Sequence, residues 1–199
     1  MPKSKTAKPN QVRIISGMFR SRKLTFPTVP GLRPTGDRTR ETLFNWLAPH
    51  IVGSRCLDLF AGSGALGIEA LSRGAMQVTF IDTSTLACEA LRRNLDLLDP
   101  SLLTSGKARI ICANSLIWLD TQHQEVDKDF NVVFLDPPFD ANIYKACCDV
   151  LDCSDLLAPD CLIYIEEPRK QDNPSTPASW QLHKTRTAGN VCYHLSLRK

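Results

Sequence analysis

The run Asp58-Leu59-Phe60-Ala61-Gly62-Ser63-Gly64-Ala65-Leu66-Gly67 decides the fold. A short apolar stretch, Arg55 to Phe60, leads into it, and a helical pattern, Ala65 to Arg73, leaves it. Gly62, Gly64 and Gly67 match G-x-G-x-x-G in this strand-turn-helix setting, where absent side chains let the backbone approach a nucleotide-like ligand. Taken alone, the match also fits a tight turn with close helix packing. Asp82 ends the next apolar run, 20 residues after Gly62, where a carboxylate can accept from both hydroxyls of a ribose. It could instead cap the helix starting near Thr85. Together the loop and the acid imply an adenosine-containing cofactor without saying which.

Outward from this loop, strand and helix alternate. Strands are expected at Arg55 to Phe60, Gln77 to Ile81, Ala108 to Cys112, Asn131 to Asp136 and Cys161 to Glu166. Helices are expected at Ala65 to Arg73, Thr85 to Leu98, Ser115 to Leu119 and Ile143 to Leu151. Runs such as Val132-Val133-Phe134-Leu135 are apolar throughout, as strands covered on both faces require. The fold class is therefore α/β, a doubly wound and mostly parallel sheet. Trp180 to Thr187 and Val191 to Leu197, joined by Ala188-Gly189-Asn190, break the alternation as a C-terminal antiparallel hairpin. Ahead of the sheet, Gln11 to Ile15 and Lys23 to Phe26 read as a small hairpin. A helix then starts at Asp37, with Asp37 or Thr35 as its cap, and ends before Pro49.

The chain has 199 residues, 43% hydrophobic, and a net charge of +3, which suits one soluble domain and excludes a disordered chain. Its apolar runs are too short to span a membrane, and no apolar core follows the basic N-terminus, so the expected address is the cytoplasm. The charge is unevenly placed. Residues 1–40 carry ten Lys/Arg against the single acid Asp37, and the remainder is net acidic. A basic arm on an acidic body points to a polyanionic partner. Its candidate contacts are Arg13, Arg20, Arg22, Lys23, Arg33, Arg38 and Arg40, although Arg38 and Arg40, beside Glu41, could instead form ion pairs or orient the cofactor loop.

The fourth parallel strand runs directly into Asp136-Pro137-Pro138-Phe139. Two prolines fix the strand's exit, so that the Asp136 carboxylate and the Pro137 carbonyl project from the sheet's carboxyl edge. Two acceptors suit an exocyclic amine with two hydrogens, and Phe139 offers a flat face for a base. The eight cysteines form no C-x-x-C pair and the four histidines are scattered, so reduced thiols and no metal site are expected; Cys56, Cys88, Cys112 and Cys161 lie in apolar runs as small hydrophobes.

These residues resemble the class I S-adenosylmethionine-dependent methyltransferases, and specifically the RsmD family of small-subunit ribosomal RNA guanine-N2 methyltransferases. The resemblance spans nearly the whole chain. It runs from Arg13-Ile14-Ile15-Ser16-Gly17 through Leu32 to Asn45 and Leu57 to Gly64 to Asp136-Pro137-Pro138-Phe139, with Arg33 to Asn45 the most family-specific stretch. It implies a bacterial enzyme that methylates the N2 amine of one guanine in 16S rRNA. S-adenosyl-L-methionine would contact Asp58, Phe60, Ala61, Gly62, Ser63, Gly64 and Asp82, with Asn114 and Ser115 at the adenine. Asn114 could equally cap a helix. Asp82-Thr83 stands where relatives often have Glu. The expected organisation is a disordered basic tail (1–10), an RNA-binding hairpin and helix extension (11–49) and a methyltransferase domain (50–199). The expected partner is small-subunit rRNA, within a partly or fully assembled subunit, and the expected state is a monomer without metal or membrane.

In the implied reaction Asp136, Pro137, Pro138 and Phe139 form the catalytic set. Asp136 and the Pro137 carbonyl hold the amine while Phe139 stacks on the base. Competing readings remain. The same D-P-P-F motif suits amino methylation of DNA adenine or cytosine, or of a protein amide. The glycine loop with Asp82 also suits an NAD(P)-dependent oxidoreductase, but the stretch beyond Glu166 is short for a substrate domain, and hydride transfer has no use for paired acceptors. A non-enzymatic RNA-binding factor on this fold would not need Asp136.

Overall fold

A computed structural model describes residues 10–28, 35–121, 128–138, 143–169 and 176–199. Its strands are β1 (Asn10–Arg13), β2 (Lys23–Phe26), β3 (Arg55–Asp58), β4 (Gln77–Asp82), β5 (Ala108–Cys112), β6 (Phe130–Leu135), β7 (Leu157–Pro168), β8 (Trp180–Ala188) and β9 (Val191–Arg198). Its helices are α1 (Asp37–Leu47), α2 (Ala65–Ser72), α3 (Thr85–Leu98), the single turn α4 (Ser101–Thr104), α5 (Ser115–Thr121) and α6 (Ile143–Cys153). Of the expected basic tail, residues 1–9 lie outside the described residues, and Asn10 already belongs to β1.

Seven strands form one sheet in the order β5-β4-β3-β6-β7-β9-β8, parallel from β5 to β7 and antiparallel through β9 and β8. Strand alternation sorts the core into two layers. Cys56, Val78, Phe80, Val132, Phe134 and Tyr164 face one side and pack with α1, α2 and α3. Leu57, Ile81, Val133, Leu135, Ile163 and Ile165 face the other and pack with α5 and α6. Strand order reverses between β3 and β6, and the crevice at the carboxyl ends of these two strands is where open α/β sheets bind ligands.

The N-terminal hairpin, β1 against β2, is not a separate lobe. Val12, Ile14, Phe19, Leu24 and Phe26 belong to the same apolar cluster as Leu43, Phe44, Ile68 and Leu91. Polar contacts tie it down further: Asn94 on α3 exchanges hydrogen bonds with the Thr25 backbone, and Ser72 on α2 bonds the backbone of Ser16, Met18 and Phe19. Gly17 makes this approach possible. A Cβ there would lie 1.8 Å from the Ser72 carbonyl oxygen, and φ is +82°.

Three local expectations need correction. Helix α1 is capped by Gly36 without a side-chain bond; Asp37 is already helical, and Thr35 points elsewhere. β7 begins at Leu157, four residues earlier than expected, through a register shift between the Phe130 and Val132 pairings, with Asp160 at φ +58°. The Pro159-Asp160 pair hides that extension in the sequence. Cys112 is exposed, at the end of edge strand β5. All eight cysteines are free thiols. Among the described residues, no helix is long and apolar enough to cross a membrane.

Candidate active site

The glycine loop leaves β3 at the switch point. Leu59 N–H donates to the Phe134 carbonyl of β6, and Ala61 N–H to the Ile81 carbonyl of β4, so the loop is stitched to the strands on both sides. Gly62 and Gly64 take φ of +51° and +75°, and Gly64 caps α2 in the left-handed conformation. Gly67 serves packing: a Cβ there would meet the Phe80 ring at 2.2 Å, so α2 can lie this close to β4 only with glycine at that position. Phe60 is half-buried, and Ala61 and Ser63 are buried.

Asp58 lies beneath the loop, 2% exposed, and accepts from Gly67 N–H at 3.1 Å. Burial raises its carboxyl to about 7, against the opposing pull of that N–H. Its clearest role is to hold the first turn of α2. Asp82 stands half-buried at the end of β4. Its Oδ2 accepts from Gly62 N–H at 2.7 Å and its Oδ1 from Ser84 N–H at 2.8 Å. Ser84, not Asp82, caps α3, its hydroxyl accepting from Ala87 N–H. Each Asp82 oxygen keeps a lone pair for a ligand.

At the end of β5, Asn114 is exposed, and its side-chain oxygen accepts from Ile117 N–H as a cap of α5. Ser115 is buried, with its hydroxyl donating to the Leu59 carbonyl, so any ligand contact from it falls to the backbone. The ends of β3, β4 and β5 thus present a glycine loop, a carboxylate and an amide side by side, a donor and acceptor set that fits an elongated adenosine-bearing ligand.

Across the switch point, Asp136 follows β6, with Pro137 buried and Pro138 exposed. Phe139 lies outside the described residues, as does Arg33. One position past the Leu135–Ile165 pair, Asp136 has Glu166 of β7 as its neighbour. Burial, then the Glu166 charge, hold the Asp136 carboxyl well above its ordinary range, while a 3.1 Å bond from the Thr35 hydroxyl to Oδ2 pulls it back. Glu166 is raised by burial and pulled back by the Tyr164 hydroxyl, which donates to Oε2 at 2.9 Å, and by the Thr35 hydroxyl lying between the two acids.

Nothing local in the chain marks Thr35 as a partner of Asp136, since its place before a helix suggests a cap. Glu166 has a usable signal: it lies late in the apolar run that forms the strand next to β6, level with Asp136.

The basic residues divide. Arg13, Arg20, Arg22, Lys23 and Arg38 are exposed, although Arg22 also donates to the Leu97 carbonyl at the end of α3, and Arg13 lies 3.7 Å from Asp37. Arg40 corrects the expectation of an RNA contact. It is fully buried, donating from Nε to the Thr35 carbonyl and from Nη2 to the Arg13 carbonyl and Asp37. Its Nη1 faces the equally buried Glu69 at 3.7 Å. Glu69 also accepts from the N–H groups of Ile15 and Ser16 and from Arg73. A side chain sealed among these groups reaches no phosphate. Among the described residues, no group of three or more His, Cys, Asp or Glu could hold a metal ion.

This geometry agrees with similarity to known proteins. The family model described as "Conserved hypothetical protein 95" matches residues 12–197. The chain belongs to the RsmD family. An Escherichia coli K12 member, "Ribosomal RNA small subunit methyltransferase D", is 44% identical over 197 residues, covering 96% of this chain and 95% of that protein. The Haemophilus influenzae protein of the same name is 46% identical, covering 93% of each. Among solved structures, the E. coli methyltransferase yhhF superposes with a TM-score of 0.83 at 43% identity, covering 96% of this chain and 99% of that one. A T. thermophilus 16S rRNA N2 methyltransferase, solved with AdoMet and guanosine, shares the fold at TM-score 0.65 and 19% identity, covering 96% of this chain and 50% of that one. The RsmD-family chain thus has Rossmann-like methyltransferases as its structural neighbours.

Proposed function

We propose that this protein methylates the exocyclic N2 amine of a guanine in small-subunit rRNA, with S-adenosyl-L-methionine as the methyl donor. The observation that carries the reading is the placement of Asp136 and Pro137 at the switch point, directly across from the Phe60 to Gly64 loop. Support for the substrate comes from relatives that are named for small-subunit rRNA methylation and cover nearly the whole chain.

The residues at the crevice fit the donor. Loop residues Phe60 to Gly64 would hold the methionine end, Asp82 the ribose, and Asn114 with the Ser115 N–H the adenine. Bound there, the donor supplies a methyl group already activated on a sulfonium. The protein's own contribution is therefore positioning. Asp136 and the Pro137 carbonyl accept the two amine hydrogens, turn the nitrogen lone pair towards the methyl group and stabilise the positive charge that develops on nitrogen. Methyl transfer would leave the nitrogen with one proton to shed, and the Asp136 carboxylate, already holding the amine, would be placed to take it. A guanine inside folded RNA must leave its stack to reach this crevice. The exposed cations Arg13, Arg20, Lys23 and Arg38 would grip the flanking phosphates.

The test is incubation with radiolabelled S-adenosylmethionine and, separately, naked rRNA, assembled small subunits, DNA and total protein. Label in rRNA, naked or assembled, is the expected result. Label confined to DNA or protein overturns the substrate while leaving the fold intact.

A further inference from the structure

We propose that Thr35 is a positioning residue for methyl transfer: its hydroxyl sets the orientation of the Asp136 carboxylate, and the buried Arg40 guanidinium holds Thr35 in place. This deepens the amine-clamp reading above and rests on it for its kinetic consequence. Thr35 is 8% exposed and stands immediately before the Gly36 cap of α1, yet its hydroxyl takes no part in capping. It reaches instead to the sheet's switch point and donates to Asp136 Oδ2 at 3.1 Å, a contact spanning 101 residues of chain. Such a bond leaves the lone pairs of Oδ1 for the substrate amine.

The reason a donor is needed lies in the surroundings of Asp136. The titratable groups facing it are Glu166 from β7 and Asp58 from β3, both acidic, with Tyr164 engaged on Glu166. Among the described residues the charged groups facing this carboxylate are acids, and the Thr35 hydroxyl is a donor that holds one of its two oxygens. Thr35 is itself fixed through its carbonyl, which accepts from Arg40 Nε at 3.1 Å. The same guanidinium donates to the Arg13 carbonyl at 2.8 Å and faces Glu69. A continuous path therefore links the backbone of the basic arm, through Arg40 and Thr35, to the carboxylate of the amine clamp.

Two variants test this, Thr35→Val and Thr35→Ser, with the intact protein and small-subunit rRNA. Thr35→Val is expected to lower the rate at saturation by about tenfold or more while cofactor affinity stays at the wild-type value. It should also move the acid limb of the pH-rate profile to higher pH, because the missing donor had favoured the ionised carboxylate. Thr35→Ser keeps the hydroxyl and should restore both. A Thr35→Val enzyme with wild-type rate and an unmoved limb overturns the proposal, as does a Thr35→Ser enzyme equally impaired. A second measurement needs no substrate: carbon-13 NMR titration of the Asp136 carboxyl in the free protein. Its midpoint should rise in Thr35→Val and stay in place in Thr35→Ser; no rise overturns the positioning contact. If wild-type protein labels no rRNA, the substrate reading fails, and this titration still decides the role of Thr35.

Discussion

Asp82 at the end of β4 and Gly62 in the loop after β3 are joined by a 2.7 Å hydrogen bond from the glycine N–H to Oδ2, so the acid that would bind the ribose also fixes the loop that would bind the rest of the cofactor. One residue thus shapes the site and supplies a contact to its ligand. Asp82→Ala removes both. Removing a charged acceptor from a ligand costs about 1.5 to 3 kcal/mol, and S-adenosylmethionine affinity by calorimetry should fall accordingly; unchanged affinity would count against the assignment.

Asp136 should behave oppositely. Asp136→Ala is expected to depress the rate at saturation strongly while cofactor affinity holds, since its contacts are made with the reacting amine. Weakened cofactor binding with an unaltered rate would assign Asp136 to the wrong ligand.

Much of this arrangement is legible in the sequence because the relevant signals are local. The glycine loop, the acid 20 residues beyond Gly62 and the double proline each constrain the backbone where they stand, and uniformly apolar strands announce a sheet covered on both faces. What stays hidden depends on contacts distant in the chain. Arg40 looks like any helix-surface cation until the hairpin and Glu69 close over it. Thr35 looks like a cap until the sheet brings Asp136 beside it. Pro159-Asp160 looks like a turn because a strand irregularity and a loop use the same residues.

The buried cluster of Arg40, Glu69 and Arg73 should govern stability and not RNA affinity. Glu69→Ala removes the buried acceptor of the Ile15 and Ser16 N–H groups and of Arg73, and the buried carboxylate facing Arg40 Nη1, and should cost about 3 to 5 kcal/mol, seen as a lower urea midpoint. Native-like stability in that variant would mean that the cluster is not closed in solution.

Exposed cations should do the reverse. Replacing Arg20, Lys23 and Arg38 together by glutamine should weaken rRNA binding and reduce the slope of log affinity against log salt by roughly one for each phosphate no longer neutralised, with the melting temperature nearly unchanged. A salt slope equal to wild type would place the RNA on another face.

Asp58 gives stability a particular pH dependence. Its carboxyl is raised to about 7 by burial, so the folded chain holds a proton that the unfolded chain releases near pH 4. The stability tied to this group is therefore full below about pH 4 and fades as pH rises towards 7 and beyond. Asp58→Asn still offers an oxygen to Gly67 N–H but cannot ionise. Denaturant unfolding from about pH 4 to 8 should show a flatter profile in the variant; identical slopes would show that Asp58 titrates normally.

Transfer of a methyl group to a guanine N2 held by Asp136 and Pro137 is tested most directly by digesting small-subunit rRNA modified by the purified protein and identifying the labelled nucleoside by mass spectrometry. The expected labelled product is N2-methylguanosine, absent when Asp136→Ala protein is used. Label on a ring nitrogen, on a ribose hydroxyl or on adenosine would contradict it.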